Sequence, residues 1–405
     1  MGKAMFSSIA EKTRGTLVAG FVLLFLVSLP GYVFLTGISS VAPRYLFLIS
    51  LAFVFFCDIT YKSIQNILPF VTWHVAFLLI GTGSFIVHYS SVWADSEVLA
   101  MWGRVFVALW AVIIGASLPS DRLMRIIAIA TLITAMICLL DIALPFVLYK
   151  PTELMLYGRG AGLFLQPNGA ASALALGFLV SHSEVDKKRF YAFFALTLLG
   201  LLATLSRGAL LCLLPALLLV RYPKMECSRK TVGIAGAIAF LVAGFVYSLS
   251  IDWESLEVAA NLWLRVLGGR ALGSGGDVVD LAALERLDAA RKAWDAFAEF
   301  PWFGLGIGHT RHWDLTASAH NMYLTFAAEF GVAGLVLSLL YFVAVYYSVP
   351  LRYRYNTRLV LVFLCLFFLF THNHFDDYVA LLIIGILVGA SLRCRRELIP
   401  HVALS

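Results

Sequence analysis

Residues 322–349 read MYLTFAAEFGVAGLVLSLLYFVAVYYSV and carry one charged side chain, Glu329, in 28 positions. A helix needs roughly 20 apolar residues to cross the ~30 Å hydrocarbon layer of a bilayer. The run from Met322 to Val349 is therefore long enough to span a membrane as one helix. On either side of it, apolar runs between charge clusters repeat along almost the whole chain. Of 405 residues, 61% are hydrophobic, 14% aromatic and only 13% charged, too little polar surface to cover a soluble particle of this size.

The runs predict an all-α, polytopic membrane helix bundle with about twelve transmembrane helices. They are Thr16 to Leu35, Tyr45 to Ile59, Ile67 to Tyr89, Val98 to Leu118, Leu123 to Tyr149, Gly169 to His182, Phe190 to Leu205, Ala209 to Val220, Thr231 to Ser250, Met322 to Val349, Leu359 to Thr371 and Val379 to Leu392. Several are short, as helices packed inside a bundle can be. Residues 1–250 would hold nine spans, residues 251–318 one long polar loop, and residues 319–405 three further spans and a tail. Ser206-Arg207-Gly208 alone separates the seventh run from the eighth; losing that hairpin would leave ten spans.

Alternate connections are basic: Lys3, Lys12 and Arg14; Lys62; Arg122 and Arg125; Lys187, Lys188 and Arg189; Arg221, Lys224, Arg229 and Lys230; Arg352, Arg354 and Arg358; Arg393, Arg395 and Arg396. The positive-inside rule puts these in the cytoplasm, with both termini, and turns the long loop outward. The first apolar run is followed at once by further spans, so it reads as an uncleaved first helix. Cys57, Cys138, Cys212 and Cys365 lie in apolar runs and Cys227 and Cys394 in basic connections, so no structural disulfide is expected.

The outward connections keep a basic set of their own, nearly all arginine: Arg44, Arg159, Arg207, Arg265, Arg270, Arg286, Arg291 and Arg311, beside Lys150 and Lys292. A planar guanidinium binds phosphate oxygens in pairs. Arginines on the face that topology would leave poor in cations therefore suggest a fixed anionic ligand, while contact with lipid headgroups is the plain alternative. Arg104 falls inside the fourth span near its outer end, where an unpaired charge costs at least about 2.5 kcal/mol. It would reach the same anion, pair with Asp141 or extend outward.

Within the loop, Gly268-Gly269 and Gly273-Ser274-Gly275-Gly276 precede an amphipathic helix from Leu281 to Phe300. Leu284, Leu287, Arg291, Trp294 and Phe297 follow helical spacing, with Arg286, Asp288, Lys292 and Asp295 elsewhere on the wheel, and Pro301 stops it. Such a helix can simply lie on a membrane surface. Pro301-Trp302-Phe303-Gly304-Leu305-Gly306-Ile307-Gly308 follows, then Ser318-Ala319-His320-Asn321, and Glu329-Phe330-Gly331-Val332-Ala333-Gly334 about three turns later. Upstream stand Gly162-Leu163-Phe164-Leu165-Gln166-Pro167-Asn168 and Leu205-Ser206-Arg207-Gly208-Ala209. His372-Asn373-His374-Phe375-Asp376-Asp377 has metal-ligand residue types in a loose arrangement and reads as a hydrogen-bonded helix end.

The motif order from Arg207 to Gly334 resembles the O-antigen ligase and O-antigen polymerase superfamily of bacterial inner-membrane glycosyltransferases. The resemblance rests on the Ser-Arg-Gly turn, an Arg opening a helix that runs to Pro-x-x-Gly-x-Gly, then His-Asn before Glu-x-Gly-x-x-Gly. In the family pattern a Trp stands four residues after the helix-opening Arg, but here Ala290 follows Arg286 at that spacing and Trp294 comes later, so Arg286 and Arg291 both remain open. The resemblance implies an undecaprenyl-diphosphate-linked glycan donor in the membrane and no nucleotide, metal or other cofactor. Nucleic acid is not among the implied partners.

What it implies for the residues is specific. Arg207 and Arg286 would hold the diphosphate leaving group, with Arg159, Arg291, Arg265 and Arg104 as further contacts. His320 would be the general base, or otherwise a capping histidine. Asn321 would orient it or cap the next helix, and Glu329 would pair with an arginine or anchor packing. One long outer loop late in the chain favours a ligase acting on lipid A-core. A polymerase, or a transferase to protein hydroxyls, would use the same residues. A lipid-glycan transporter would instead show paired internal repeats, and none is seen between the halves.

Overall fold

The computed structural model describes residues 2–40, 61–87, 94–144, 148, 159–221, 281–313, 319–371 and 374–393. The expected spans Tyr45 to Ile59 and Thr231 to Ser250 lie outside the described residues, as do Arg44, Arg265, Arg270 and His372. Among the described residues there are twelve α-helices and no strand: α1 Gly2–Leu26, α2 Leu29–Leu35, α3 Tyr61–Val87, α4 Ala94–Ser117, α5 Ser120–Ala143, α6 Pro167–Ser181, α7 Lys187–Ala203, α8 Arg207–Arg221, α9 Leu281–Glu299, α10 Met322–Ser348, α11 Arg354–Phe367 and α12 Tyr378–Arg393.

Four described helices are long and apolar enough to cross a membrane: Ile64–Val87, Ala94–Ser117, Ser120–Ala143 and Met322–Ser348. A fifth is added if Gly15–Leu26 and Leu29–Leu35, bent by 53°, form one broken span. Two of the twelve expected spans lie outside the described residues, and the others that fall short do so in helix length. Helices α6, α7, α8, α11 and α12 have 14 to 17 residues, or about 21–26 Å at 1.5 Å per residue. The hairpin boundary at Ser206-Arg207-Gly208 is present, since α7 ends at Ala203 and α8 begins at Arg207.

These short helices include the centre of the bundle. Helix α12 is buried at every position from Val379 to Leu392, and α6 is buried from Ala170 to its end at Ser181. A helix apolar all round belongs in such a place. Helix α12 packs on α4 through small residues. A Cβ on Gly115 would stand 2.7 Å from the Ile386 carbonyl oxygen, so the backbones touch there. At one end Arg352 pairs with Asp121 (2.8 Å) and Glu184 (3.4 Å), joining the basic connections. The opposite end, where α8 and α10 begin, carries the candidate site.

Helix α10 breaks inside. Gly331 has φ 65° and ψ −148°, outside helical values. A straight helix would hold Phe326 and Tyr341 about 22 Å apart along its axis. Both rings nevertheless pack on Phe375, with centroids at 5.5 and 5.1 Å. The segment Met322–Phe330 therefore folds back along Val332–Ser348, and the start of α10 is carried down into the bundle.

Candidate active site at the Arg207 end

The turn before α8 is built from hydrogen bonds to its neighbours. The Arg159 Nε donates to the Thr204 carbonyl (2.9 Å) and its Nη2 to Asn168 Oδ1 (3.1 Å). Ser206 Oγ donates to the same Asn168 oxygen (3.0 Å), and Ser206 N donates to Thr204 Oγ1 (3.2 Å). Leu205 takes φ 50°, which turns the chain out of α7. Arg207 is then the first residue of α8, exposed and without a carboxylate partner among the described residues. A helix start presents free amide hydrogens and the positive end of the helix dipole, so this arginine stands where an anion would be stabilised. Arg159, by contrast, uses its guanidinium to brace the turn.

His320 lies at the start of the folded-back segment, half-buried, with φ 44°. Non-glycine residues seldom adopt this left-handed conformation. Asn321 Oδ1 accepts from Leu324 N at 3.1 Å, so Asn321 caps α10. Met322 N donates to the Phe368 carbonyl at 2.8 Å. The Arg207 turn leans on the same strand of chain, because a Cβ on Gly208 would lie 2.9 Å from Phe370 Cβ. Phe368–Phe370, just after α11, therefore supports both the arginine turn and Met322, two residues beyond His320.

The two glycine motifs form one unit. Leu305 N donates to the Ala328 carbonyl (2.8 Å), Gly306 N to the Glu329 carbonyl (3.0 Å), and Val332 N to the Pro301 carbonyl (2.7 Å). In an unbroken helix the Ala328 carbonyl would accept from Val332 N. The loop thus replaces the bonds lost at the break, as buried backbone groups in a bundle require. A side chain on Gly331 would meet the Pro301 oxygen at 2.5 Å, and one on Gly304 the Glu329 oxygen at the same distance. These glycines serve close backbone approach. The Glu329 side chain, fully inside, accepts from Thr310 Oγ1 (2.6 Å) and Thr310 N (3.3 Å).

Beside this unit lies a cluster of opposite charges. Arg104 binds Asp376 through Nε (2.6 Å) and approaches Glu97 (3.6 Å); Arg311 binds Asp376 and approaches Glu97 (3.8 Å). Burial works against the Arg311 charge, yet Asp376, Glu97 and Glu329 together hold its guanidinium above the usual arginine value. The pairing of Arg104 with Asp141 does not occur. Asp141 instead accepts from Ala161 N and Gly162 N, both at 2.9 Å, bracing the Gly162–Phe164 turn. In the adjoining connection, His374 is enclosed by Phe368, Phe375 and Tyr341, and burial pushes its pKa down to about 3. No group of three His, Cys, Asp or Glu side chains suited to a metal occurs among the described residues.

The loop helix matches expectation in extent. From Leu287 onward its buried residues are Ala289, Ala293 and Ala296, and Ala293 and Ala296 pack with Ala319 and Ala328; Trp294 and Phe297 are only half-buried, and Arg291 is exposed. Small side chains let α9 sit close on the folded-back start of α10. Arg286, placed by its backbone alone, stands two turns before Ala293 on that same stripe, whereas Arg291 falls on the opposite side. Lys292 lies over the Trp313 ring at 5.3 Å.

Sequence reasoning did not single out Glu97 or Asn168. Glu97 had a signal: it stands seven residues before Arg104 on α4, hence on one face of the helix. Asn168 was the last residue of a noticed motif, without an assigned task.

These elements define a multi-pass helical membrane protein whose arginine turn rests on Phe370 and whose α10 start is bonded to Phe368. Residues 192–339, about a third of the chain, match the family model described as O-antigen ligase. It covers Arg207, Arg286, Arg291, His320, Asn321 and Glu329, and leaves Arg104, Arg159 and Asn168 outside. No curated protein matches the chain at a significant level.

Proposed function

We propose that this protein is an O-antigen ligase of the bacterial inner membrane, transferring undecaprenyl-diphosphate-linked glycan onto lipid A-core on the periplasmic face. The observation that carries the reading is the common support by Phe368–Phe370 of the Arg207 turn and of Met322, at the α10 start that follows His320, within and beside the segment that matches the family. The acceptor sugar hydroxyl attacks the anomeric carbon, the bond from that carbon to the diphosphate oxygen breaks, and His320 takes the hydroxyl proton. Such base catalysis is worth about 10²- to 10⁴-fold. Arg207 and Arg286 receive the charge that develops on the leaving diphosphate, each charge-assisted bond contributing roughly 1.5–3 kcal/mol. Arg286 is preferred over Arg291 because its place on α9 is on the α10 side.

Arg159 and Asn168 hold the turn, Asn321 caps the helix that follows the base, and Arg104 belongs to the carboxylate cluster. The diphosphate is already a good leaving group, so no nucleotide is consumed. Purified protein, donor glycolipid and lipid A-core, mixed without nucleotide and with excess chelator, test the reading. Glycan moved in one step to lipid A-core, and lost with His320→Ala, is the expected result. Longer glycan still on undecaprenyl diphosphate would make the protein a polymerase, and glycolipid crossing the bilayer without transfer would make it a transporter.

A further inference from the structure

The turn that follows α9 exposes its largest apolar side chains. Trp302 is 72% and Phe303 77% exposed, beside the partly exposed Phe300. A soluble surface rarely carries three neighbouring aromatics of this size without a partner. Their position in the bundle gives the reason. Pro301 is bonded through its carbonyl to Val332 N, so the turn sits on the bend of α10.

Below that bend, α10 shows a stripe of exposed apolar side chains: Val332, Val336, Leu339, Leu340, Val343 and Tyr347. Above it, Phe326 to Gly331 are buried in the fold-back and under α9. The exposed stripe is the face that a spanning helix turns to lipid, and it begins where the aromatic turn touches it. Val332–Ser348 measures about 25 Å at 1.5 Å per residue, inside a hydrocarbon layer of about 30 Å. The tip of the turn thus reaches the outer boundary of that layer, where aromatic side chains concentrate. Glu299 precedes the tip and is exposed, as suits the headgroup region.

We propose that Phe300, Trp302 and Phe303 insert into the acyl-chain boundary of the adjacent leaflet and anchor the C-terminal end of α9 to lipid. The polar segment 251–318 is therefore not wholly an aqueous loop: its Phe300–Gly304 portion rests in the membrane surface. The anchor fixes one end of the helix that bears Arg286. This inference stands on the shape of α10 and is independent of which glycan transfer the protein performs.

The test places a bimane label at Trp302→Cys, and separately at Phe303→Cys, in otherwise complete protein reconstituted in phospholipid vesicles. Both side chains are exposed, so neither substitution disturbs packing. Asp295→Cys, on the exposed face of α9, is the aqueous control. Strong quenching at 302 and 303 by phospholipid carrying a nitroxide near the headgroup, with weak quenching by iodide, is expected, and the reverse pattern at 295. Iodide quenching at 302 and 303 equal to that at 295 would overturn the proposal. So would shielding from both quenchers, which would mean a second protein surface covers the turn.

Discussion

The Arg207 turn and the Arg104 cluster lie at the same end of the bundle, and both would be counted as outward arginine. They differ in their surroundings. Arg207 opens a helix, is exposed, and has no carboxylate partner among the described residues. Arg104 and Arg311 share Asp376 and Glu97. A guanidinium already matched by carboxylates has little left for a diphosphate, whereas one at a helix start adds the helix dipole to its own charge. An arginine count therefore overstates an anion site, and the carboxylates decide which arginines belong to it.

The largest effect that would break this distinction is on the chemical step. His320→Ala and Arg207→Ala should each remove transfer, the first by about 10²- to 10⁴-fold, while thermal unfolding in detergent stays near wild type. Arg104→Gln should act the other way. It leaves Asp376 to Arg311, and Glu97 to Arg311 and His312, and costs roughly 1–3 kcal/mol of stability, read as a lowered Tm, with the turnover of the folded fraction retained.

Smaller effects sharpen the comparison at the turn itself. Asn168→Ala removes the acceptor shared by Ser206 and Arg159 and should weaken donor binding by about 1 kcal/mol, seen as a raised KM. Asn168→Asp, which keeps the acceptor oxygen, should restore much of it. A raised KM with unchanged Tm would mark Asn168 as positioning Arg207, while equal losses of Tm and kcat would make it only structural.

The smallest concerns pH. Burial pushes the Asp377 carboxyl up to about 6, against the lowering effect of the Ala380 and Val379 amides that it caps, with Asp376 adding to the rise. The folded state thus binds more protons than the unfolded between about pH 4 and 6, so stability should fall as pH rises through that window. Asp377→Asn should flatten the fall in a thermal unfolding series, and an unchanged slope would show that another group causes it.

Much of this was legible in the chain. Apolar runs marked α10 to within a residue of its end, and the Leu281 to Phe300 helix to the same margin. The Ser-Arg-Gly turn also appeared where charge and glycine placed it. The break at Gly331 was not legible. A glycine inside an apolar run looks like any other until a second segment, Pro301 to Gly306, is known to supply the missing hydrogen bonds. The packed face of α9 was not legible either: its leucine and aromatic spacing showed one stripe, but close approach to α10 is made by alanines. The partner of Arg104 could not be chosen by sequence distance, since Asp376 lies 272 positions away and is brought near by the α4–α12 seam.

The most direct test compares two arginines in one assay. Release of glycan from undecaprenyl diphosphate onto lipid A-core would be timed for wild type, Arg207→Ala and Arg104→Gln, each normalised to folded protein. The account predicts no transfer for Arg207→Ala and near-normal transfer per folded molecule for Arg104→Gln. Transfer by folded Arg207→Ala, or its loss in folded Arg104→Gln, would contradict it.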